Sequence, residues 1–267
     1  MKNKIRVIVS GASGRMGSEA IRAVSSEKDL LLVGAFDAMG AGRDAGEVAG
    51  IGANGVIISD SMASVLKESK ADVVVDFTTA EGFENRATAI LKAGCRLVTG
   101  TTGIEAGAIK RIARLAAQKK LGVLIAPNFA IGAVLMMQFA EKAAAYMPDC
   151  EIVELHHNRK LDAPSGTALA TAEKIAAARR GLKVGADPTK TVKLAGARGG
   201  DSEGVHVHSI RLPGFLAHQE VIFGGPGQTL TIRHDTISRE CFMPGVTLAA
   251  RRIITRDKLV IGLENLL

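Results

Sequence analysis

Aromatic side chains and cysteines are scarce in this chain of 267 residues, which has no tryptophan, one tyrosine and three cysteines. Proteins that bind single-stranded nucleic acid stack bases on aromatic rings, so this shortage argues against such a platform. Cys95, Cys150 and Cys241 lie far apart, and no Cys-x-x-Cys spacing occurs. An odd number of dispersed cysteines indicates a reducing compartment rather than a disulfide framework.

Long apolar runs are also lacking, and no stretch reaches the length that crosses a bilayer. The segment 1–4 leads directly into an apolar run, so we expect no signal peptide. The net charge is +7, but the Lys and Arg residues are scattered and form no clustered recognition helix. We therefore expect a cytoplasmic protein that binds anionic metabolites, without a nucleic-acid or membrane partner.

The first half of the chain alternates between strand-like and helix-like segments. Short apolar, β-branched runs occupy 5–9, 30–36, 73–77, 96–99 and 121–126, and helical patterns at 17–25, 83–93 and 109–119 separate several of them. Such alternation is typical of βαβ units. It predicts an α/β fold of the Rossmann type, with a doubly wound, mostly parallel sheet.

The pattern changes after Pro127. A long Ala- and Met-rich helix is predicted over 134–145, and β-prone runs follow at 205–212, 216–223 and 229–234, separated by glycine and proline. Such runs are typical of an antiparallel sheet. We therefore predict an α+β substrate domain with a mostly antiparallel sheet at 128–238, inserted into a dinucleotide-binding domain formed by 1–127 and 239–267.

A glycine-rich loop follows the first predicted strand and opens the first helix. Its residues are Gly11, Ala12, Ser13, Gly14, Arg15 and Met16, with a third glycine at Gly17. Glycines in this context allow a pyrophosphate to approach the amides at the helix N-terminus. The spacing differs from Gly-x-Gly-x-x-Gly, and no Gly-Lys-Ser/Thr follows, which excludes a Walker-type loop.

Further cofactor candidates stand at the ends of other predicted strands. Asp37 ends the second strand, where an acidic side chain accepts the ribose hydroxyls of a dinucleotide. Two loops follow later strands and are candidates for lining the nicotinamide half, because ligands of open α/β sheets bind along the strands' carboxyl ends. Their residues are Gly100, Thr101 and Thr102, and Ala126, Pro127, Asn128 and Phe129.

The segment 154–168 combines cationic and proton-donating side chains with a turn. His156, His157 and Lys160 follow an apolar strand, and Asp-Ala-Pro-Ser-Gly at 162–166 is turn sequence. Ser165 is a natural N-cap for the helix that starts there. The amides near Gly166 and Thr167 would then lie at the positive end of a helix, which binds carboxylate or phosphate.

Five sequence motifs together resemble the dihydrodipicolinate reductases, also called 4-hydroxy-tetrahydrodipicolinate reductases, of lysine and diaminopimelate biosynthesis. They are Gly-Ala-Ser-Gly-Arg-Met-Gly at 11–17, Asp-Phe-Thr at 76–78, Gly-Thr-Thr-Gly at 100–103, Asn-Phe at 128–129 and Glu-Leu-His-His-Asn-Arg-Lys-Leu-Asp-Ala-Pro-Ser-Gly-Thr-Ala at 154–168. The motifs span most of the chain, and the last is long and specific.

The resemblance implies reduction of a small cyclic dicarboxylate with NADH or NADPH. It assigns His156 and Lys160 to catalysis, with Lys160 as the proton donor. It assigns His157, Lys160, Gly166 and Thr167 to the substrate carboxylates, with no metal. Ala38 stands where some members carry Arg, so both coenzymes remain candidates.

The resemblance also implies a homotetramer assembled through the sheet of the substrate domain. We expect the exposed apolar face of that sheet to include Val221, Phe223, Leu230 and Ile232.

Two alternative functions use other features of the sequence. His206 and His208 alternate in a predicted strand and share one face, and with His156 and His157 they suggest a metal-dependent hydrolase. The Rossmann pattern and the basic charge also permit a non-enzymatic nucleotide-sensing protein. Metal content and turnover of NAD(P)H separate these alternatives from the reductase.

Overall fold

The structure, a computed structural model, describes residues 4–267, and the chain forms two units within it. The first unit runs to Ile131 and resumes at Arg239, and the second comprises Gly132–Ser238. Each unit has its own sheet. No helix within 4–267 combines the length and apolar content needed to cross a membrane.

The first unit is built on a sheet of seven parallel strands in the order β12-β6-β5-β4-β1-β2-β3. The strands are β1 (Ile5–Ser10), β2 (Leu30–Phe36), β3 (Ile58–Ser59), β4 (Val73–Asp76), β5 (Arg96–Thr99), β6 (Val123–Ile125) and β12 (Leu259–Ile261). The helices are α1 (Arg15–Ser26), α2 (Ala45–Ala49), α3 (Met62–Ser69), α4 (Phe83–Lys92), α5 (Ala106–Lys119) and α8 (Met243–Arg252).

Helices cover both faces of this sheet, which explains its continuous apolar strands. All four residues of β4 are buried. Ile8 and Val74 pack into a core with α3, α4 and α5. The other face lies against α1 and α8. A parallel sheet buried on both faces confirms the predicted doubly wound Rossmann-type fold.

The second unit contains a five-stranded sheet in the order β11-β10-β7-β9-β8. Its elements are α6 (Ile131–Ala144), which starts at the last residue of the first unit, β7 (Asp149–His156), α7 (Gly166–Ala178), β8 (Gly200–Ser202), β9 (Val205–Arg211), β10 (Ala217–Gly225) and β11 (Gln228–Thr236). The β7–β9 pair is parallel and the other pairs are antiparallel, so the predicted mostly antiparallel sheet is confirmed.

The two faces of the second sheet differ in their cover. Val221 and Phe223 are fully buried against alanines of α6 and α7, and Ile232 packs beside them. The expectation that these side chains form an exposed face is therefore wrong, because the helices dock on that side. Among the four side chains named, only Leu230 is exposed, at 40%.

The opposite face carries the alternate residues of the same strands. Val153 and Ile222 are half-buried there, and Thr231 is exposed. We call this the second face; α6 and α7 pack on the first one.

Candidate functional site

The glycine-rich loop of the first unit leaves the end of β1 and enters α1 in a tight turn. The amides of Gly11 and Ala12 donate to the Phe36 carbonyl at 2.8 and 3.1 Å, which ties the loop to the end of β2. A Cβ on Gly17 would lie 1.9 Å from the Gly11 carbonyl oxygen, so no other residue fits there. Gly14 caps α1 without a side-chain acceptor. The first amides of α1 therefore suit an anion.

Asp37 has a fixed orientation at the end of β2. Its Oδ2 accepts a hydrogen bond from the Ser13 amide at 2.8 Å, and its Oδ1 accepts one from the Met39 amide at 2.8 Å. Each carboxylate oxygen has a second lone pair. The carboxylate can therefore accept further hydrogen bonds beside the glycine-rich loop without moving.

A buried hydroxyl network joins the ends of β4 and β5. The Asp76 side chain is 2% exposed and accepts hydrogen bonds from the hydroxyls of Thr78 at 2.8 Å, Thr99 at 3.1 Å and Thr101 at 3.2 Å. The Arg86 guanidinium approaches it at 4.0 Å. Asp76 belongs to the Asp-Phe-Thr motif at 76–78, but the sequence assigned no role to its side chain and did not predict this network. The network holds the Gly100–Thr102 loop in place.

Aromatic packing holds the loop 126–129 at the carboxyl ends of the parallel strands, beside the Gly100–Thr102 loop. The rings of Phe77 and Phe129 meet edge to face, with centroids 5.7 Å apart. A Cβ on Gly100 would lie 2.6 Å from the Phe77 ring, so glycine is needed between the strands and the rings. The Ala126 amide donates to the Thr99 carbonyl at 3.0 Å, and Asn128 accepts from the Ala130 amide at 2.8 Å. The loops that start at Gly100 and Ala126 therefore lie together, because they follow the neighbouring parallel strands β5 and β6.

In the second unit, His156 stands at the carboxyl end of β7 above a buried carboxylate. Its Nδ1 lies 2.5 Å from Oε2 of Glu154, whose side chain is fully buried. Arg211, on the neighbouring strand β9, forms a two-pronged ion pair with Glu154 at 2.7 and 2.8 Å. The sequence reasoning assigned no role to Glu154 or Arg211.

Glu154 remains ionised because its partners outweigh its burial. Burial alone raises the pKa of this carboxyl, but hydrogen bonds from His156, Arg211 and Ser209 lower the pKa to about 2. The carboxylate is then only a hydrogen-bond acceptor. Nδ1 of His156 must therefore carry the proton in their contact, which leaves Nε2 as the other ring nitrogen.

Lys160 lies on the turn that follows β7. Its ammonium donates to both oxygens of Asp162, at 2.7 and 2.9 Å, and its side chain is 20% exposed. The hydrogen bond from Lys160 lowers the pKa of Asp162. Because the Asp162 side chain is 64% exposed, a ligand carboxylate can replace it at the ammonium. The Lys160 amide also donates to the His157 carbonyl at 3.1 Å, and Nδ1 of His157 is buried without a partner in residues 4–267.

The turn ends at the N-terminus of α7, which Ser165 caps. The Ser165 hydroxyl accepts a hydrogen bond from the Ala168 amide at 3.2 Å. The cap therefore engages neither the Gly166 nor the Thr167 amide, and both lie at the positive end of the helix. A Cβ built on Gly166 would meet nothing within 4 Å, so a ligand has access to this backbone.

The other two histidines of the metal-dependent hydrolase alternative, His206 and His208, have separate partners. His208 lies 2.7 Å from Glu151, and His206 lies 3.6 Å from Asp187. Within residues 4–267, no group of three or more His, Cys, Asp or Glu side chains has the arrangement that holds a metal ion. The metal-dependent hydrolase alternative is therefore not supported.

Comparisons with known proteins cover both units. The family model described as dihydrodipicolinate reductase, N-terminus, matches residues 5–129, and the model of the C-terminus matches residues 132–267. The 4-hydroxy-tetrahydrodipicolinate reductase of Desulfitobacterium hafniense is 53% identical over 99% of each chain. That of Listeria monocytogenes is 50% identical over 98% of this chain and 100% of its own.

A solved structure agrees with these matches. The dipicolinate-bound dihydrodipicolinate reductase of Paenisporosarcina sp. TG-14 superposes with a TM-score of 0.89 at 43% identity, covering 99% of this chain and 100% of the other. The amine dehydrogenase of Mycobacterium smegmatis shares only the fold, with a TM-score of 0.68 at 15% identity. From the two family models and these relatives, the chain belongs to the dihydrodipicolinate reductase family, whose curated members are named 4-hydroxy-tetrahydrodipicolinate reductase.

Proposed function

We propose that this NAD(P)H-dependent oxidoreductase reduces 4-hydroxy-tetrahydrodipicolinate to tetrahydrodipicolinate through His156 and Lys160 of the second unit. The observation that carries this proposal is that a lysine ammonium, a carboxylate-held imidazole and an open helix N-terminus all belong to one short segment, 156–167. We also place the reaction in the cytoplasm, where Cys95 and Cys150 remain thiols.

The cofactor would bind to residues of the first unit. The amides of Arg15 and Met16, at the first positions of α1 after Gly14, suit the pyrophosphate, and the Arg15 guanidinium adds positive charge nearby. The Gly14 amide itself donates to the Gly11 carbonyl at 3.0 Å and shapes the turn. The contacts that hold Asp37 next to Ser13 suit the adenosine ribose. The fixed loops at 100–102 and 126–129 suit the nicotinamide half. When bound, the cofactor supplies the hydride.

The substrate would bind to residues of the second unit. Its two carboxylates need cations and amides, and His157, Lys160, Gly166 and Thr167 provide them. Dipicolinate, the planar dicarboxylate bound by the Paenisporosarcina relative, also requires cations and amides for its two carboxylates. We propose that dipicolinate also competes with the substrate in this chain.

Lys160 and His156 would stabilise the developing charge and transfer protons during the reduction. Negative charge develops on the ring system as the hydride arrives, and the hydroxyl group of the substrate leaves as water in the overall reaction, which consumes one hydride and one proton. A positioned ammonium stabilises that charge and donates the proton. Nε2 of His156 is the ring nitrogen that remains for proton exchange, since Nδ1 faces Glu154.

The test is the oxidation of NADH and NADPH with 4-hydroxy-tetrahydrodipicolinate. We expect Lys160→Ala to lower kcat about 10²-fold or more, the range for a positioned acid. The dissociation constant for NADH, measured by fluorescence, should stay the same because the proposed cofactor residues belong to the first unit.

Arg159→Ala is the matched control, since it removes an exposed cation from the adjacent position. Near-normal turnover by Lys160→Ala, or an equal loss in Arg159→Ala, would remove Lys160 from catalysis.

We further propose a homotetramer assembled on the second face of the five-stranded sheet. This face offers Val153, Ile222 and Thr231 beside charged side chains such as Glu220 and Arg233, which pair at 2.8 Å. A mixed apolar and charged sheet face suits a symmetric contact between identical copies.

A further inference from the structure

Glu154 contacts the beginning and the end of the segment that the proposed function uses. Its Oε2 meets Nδ1 of His156 at 2.5 Å. Its Oε1 accepts from the Ser165 amide at 3.2 Å, at the cap of α7. The side chain is fully buried. One carboxylate therefore touches both the imidazole and the residue that starts the anion-binding helix.

Arg211 extends this contact to the lysine turn. One Nη of Arg211 bonds to Glu154 at 2.7 Å and also donates to the Asp162 carbonyl at 2.8 Å. Asp162 is the residue whose side chain holds the Lys160 ammonium. The backbone of the turn is thus fixed by the same guanidinium that neutralises Glu154.

We propose that Glu154 and Arg211 form a positioning pair that keeps the His156 proton on Nδ1 and fixes the Lys160 turn and the α7 N-terminus around one buried charge. A carboxylate that accepts from a histidine Nδ1 sets the tautomer and the ring orientation and stabilises the imidazolium. The bidentate geometry of arginine fixes the carboxylate plane as well. This inference rests on the proposed function for its catalytic consequence.

Few other side chains around Glu154 could accept the hydrogen bond from Nδ1 of His156. Arg211 comes from β9, Lys160 and Asp162 come from the turn, and Gln219 lies opposite on β10. The Gln219 amide nitrogen donates to the Thr171 hydroxyl at 2.8 Å. Glu154 is thus the carboxylate that contacts the imidazole.

The first arm of the test observes the imidazole without turnover. Nitrogen-15 NMR of the His156 ring, assigned by its loss in His156→Gln, should show a proton on Nδ1 and none on Nε2 in the neutral wild-type ring. Glu154→Gln should mix the two tautomers, because an amide can donate as well as accept. An unchanged spectrum would overturn the proposal.

The second arm separates positioning from folding. We expect Glu154→Gln to lower kcat about 10- to 100-fold, the usual range for the partner of a functional histidine. The pH profile of kcat should move, because the charge beside the ring is lost. NADH affinity should be unchanged.

The double variant Glu154→Gln/Arg211→Met shows whether the loss of kcat comes from lost positioning of His156 or from lost stability. Removing both charges restores stability relative to the single variant, because no buried charge is left unpaired. We expect kcat to stay low in the double variant, with the same displaced pH profile. Recovery of kcat together with stability would show a merely structural role and overturn the proposal.

Glu151→Gln is the matched control. Glu151 lies on the same strand and is paired with Arg198 and His208, but on the other face of the sheet. We expect no change in its pH profile. A wild-type chain that fails to reduce the dicarboxylate would refute the proposed function, whereas the NMR arm would still test the positioning pair.

Discussion

At the scale of single residues, Asp37 shows how backbone amides fix a recognition group. The Ser13 and Met39 amides donate to its two oxygens, which holds the carboxylate in one orientation. A fixed carboxylate accepts ribose hydroxyls and repels a 2′-phosphate. We expect the wild type to use both coenzymes with a modest preference for NADH, because Ala38 offers no cation and Arg43 stands further along the loop.

Asp37→Ala should weaken NADH and spare or improve NADPH. The measurement is kcat/KM for each coenzyme in wild type and variant at one ionic strength. Asp60→Ala is the control, since Asp60 is an exposed carboxylate just beyond β3, which pairs with β2. A wild-type preference for NADPH above about tenfold, or roughly 1.4 kcal/mol, would contradict the assignment.

At the scale of the elements, the Asp76 hydrogen-bond network connects the loop after β4 with the loop after β5. Thr99→Val keeps the shape of the side chain but removes a hydroxyl that donates to the buried carboxylate. The buried Thr101 amide, which donates to that hydroxyl at 3.1 Å, also loses its partner. A buried donor left unsatisfied costs about 1–3 kcal/mol, so we expect that loss of stability in urea unfolding. NADH affinity should fall as well, because the 100–102 loop loses its anchor.

Thr102→Val is the matched control for stability. Thr102 belongs to the same loop but is exposed. Equal unfolding free energies for Thr99→Val and wild type would show that the network does not stabilise the first unit.

The ion pair between β7 and β9 predicts how acid affects the second unit. The pKa of Glu154 falls to about 2 in the folded chain, below that of an unfolded glutamate, near 4.3. Its contribution is therefore complete above pH ~5 and is lost as pH falls toward 2. We expect Glu154→Gln to destabilise the chain most at pH 5–7, on the order of 3 kcal/mol.

The difference in unfolding free energy between Glu154→Gln and wild type should shrink steadily from pH 5 to pH 2. Urea unfolding at several pH values measures it. Glu141→Gln removes a carboxylate paired with Lys174 on the surface and should change stability little. A difference that does not depend on pH would show that Glu154 is not held ionised by its partners.

At the scale of the whole molecule, assembly through the second sheet face is open to a direct test. Ile222→Asp places a charge in the middle of that face and should convert a tetramer to smaller species in multi-angle light scattering. Tyr146→Asp changes an 81% exposed side chain outside the sheet and should leave the mass unchanged. A wild-type monomer at working concentration would refute the homotetramer.

The parts of the molecule that could be predicted from sequence are those set by local patterns. The alternation of strand-like and helix-like segments predicted the Rossmann-type sheet, and the turn sequence with the N-cap residue Ser165 predicted the start of α7. Glu154 and Arg211 lie 57 residues apart in the sequence, and no motif around either residue predicts their contact. The apolar residues of β10 predicted an apolar sheet face, but the sequence did not show that α6 and α7 cover Val221 and Phe223 on that face. The roles of His156, Lys160 and the cofactor loops remain predictions.

The parallel pairing of β7 with β9 has a consequence for the order in which the second unit is built. β10 and β11 join through a tight turn at Pro226-Gly227, so their pairing is local. β9 reaches β7 only after the chain has passed through α7 and the long segment that follows, and such a closure is entropically slow. Arg211 arrives with β9 and meets Glu154 only then. A half-folded chain that has only the local β10–β11 hairpin therefore lacks an organised His156 and Lys160, because the contact between Arg211 and Glu154 requires the long-range pairing of β9 with β7.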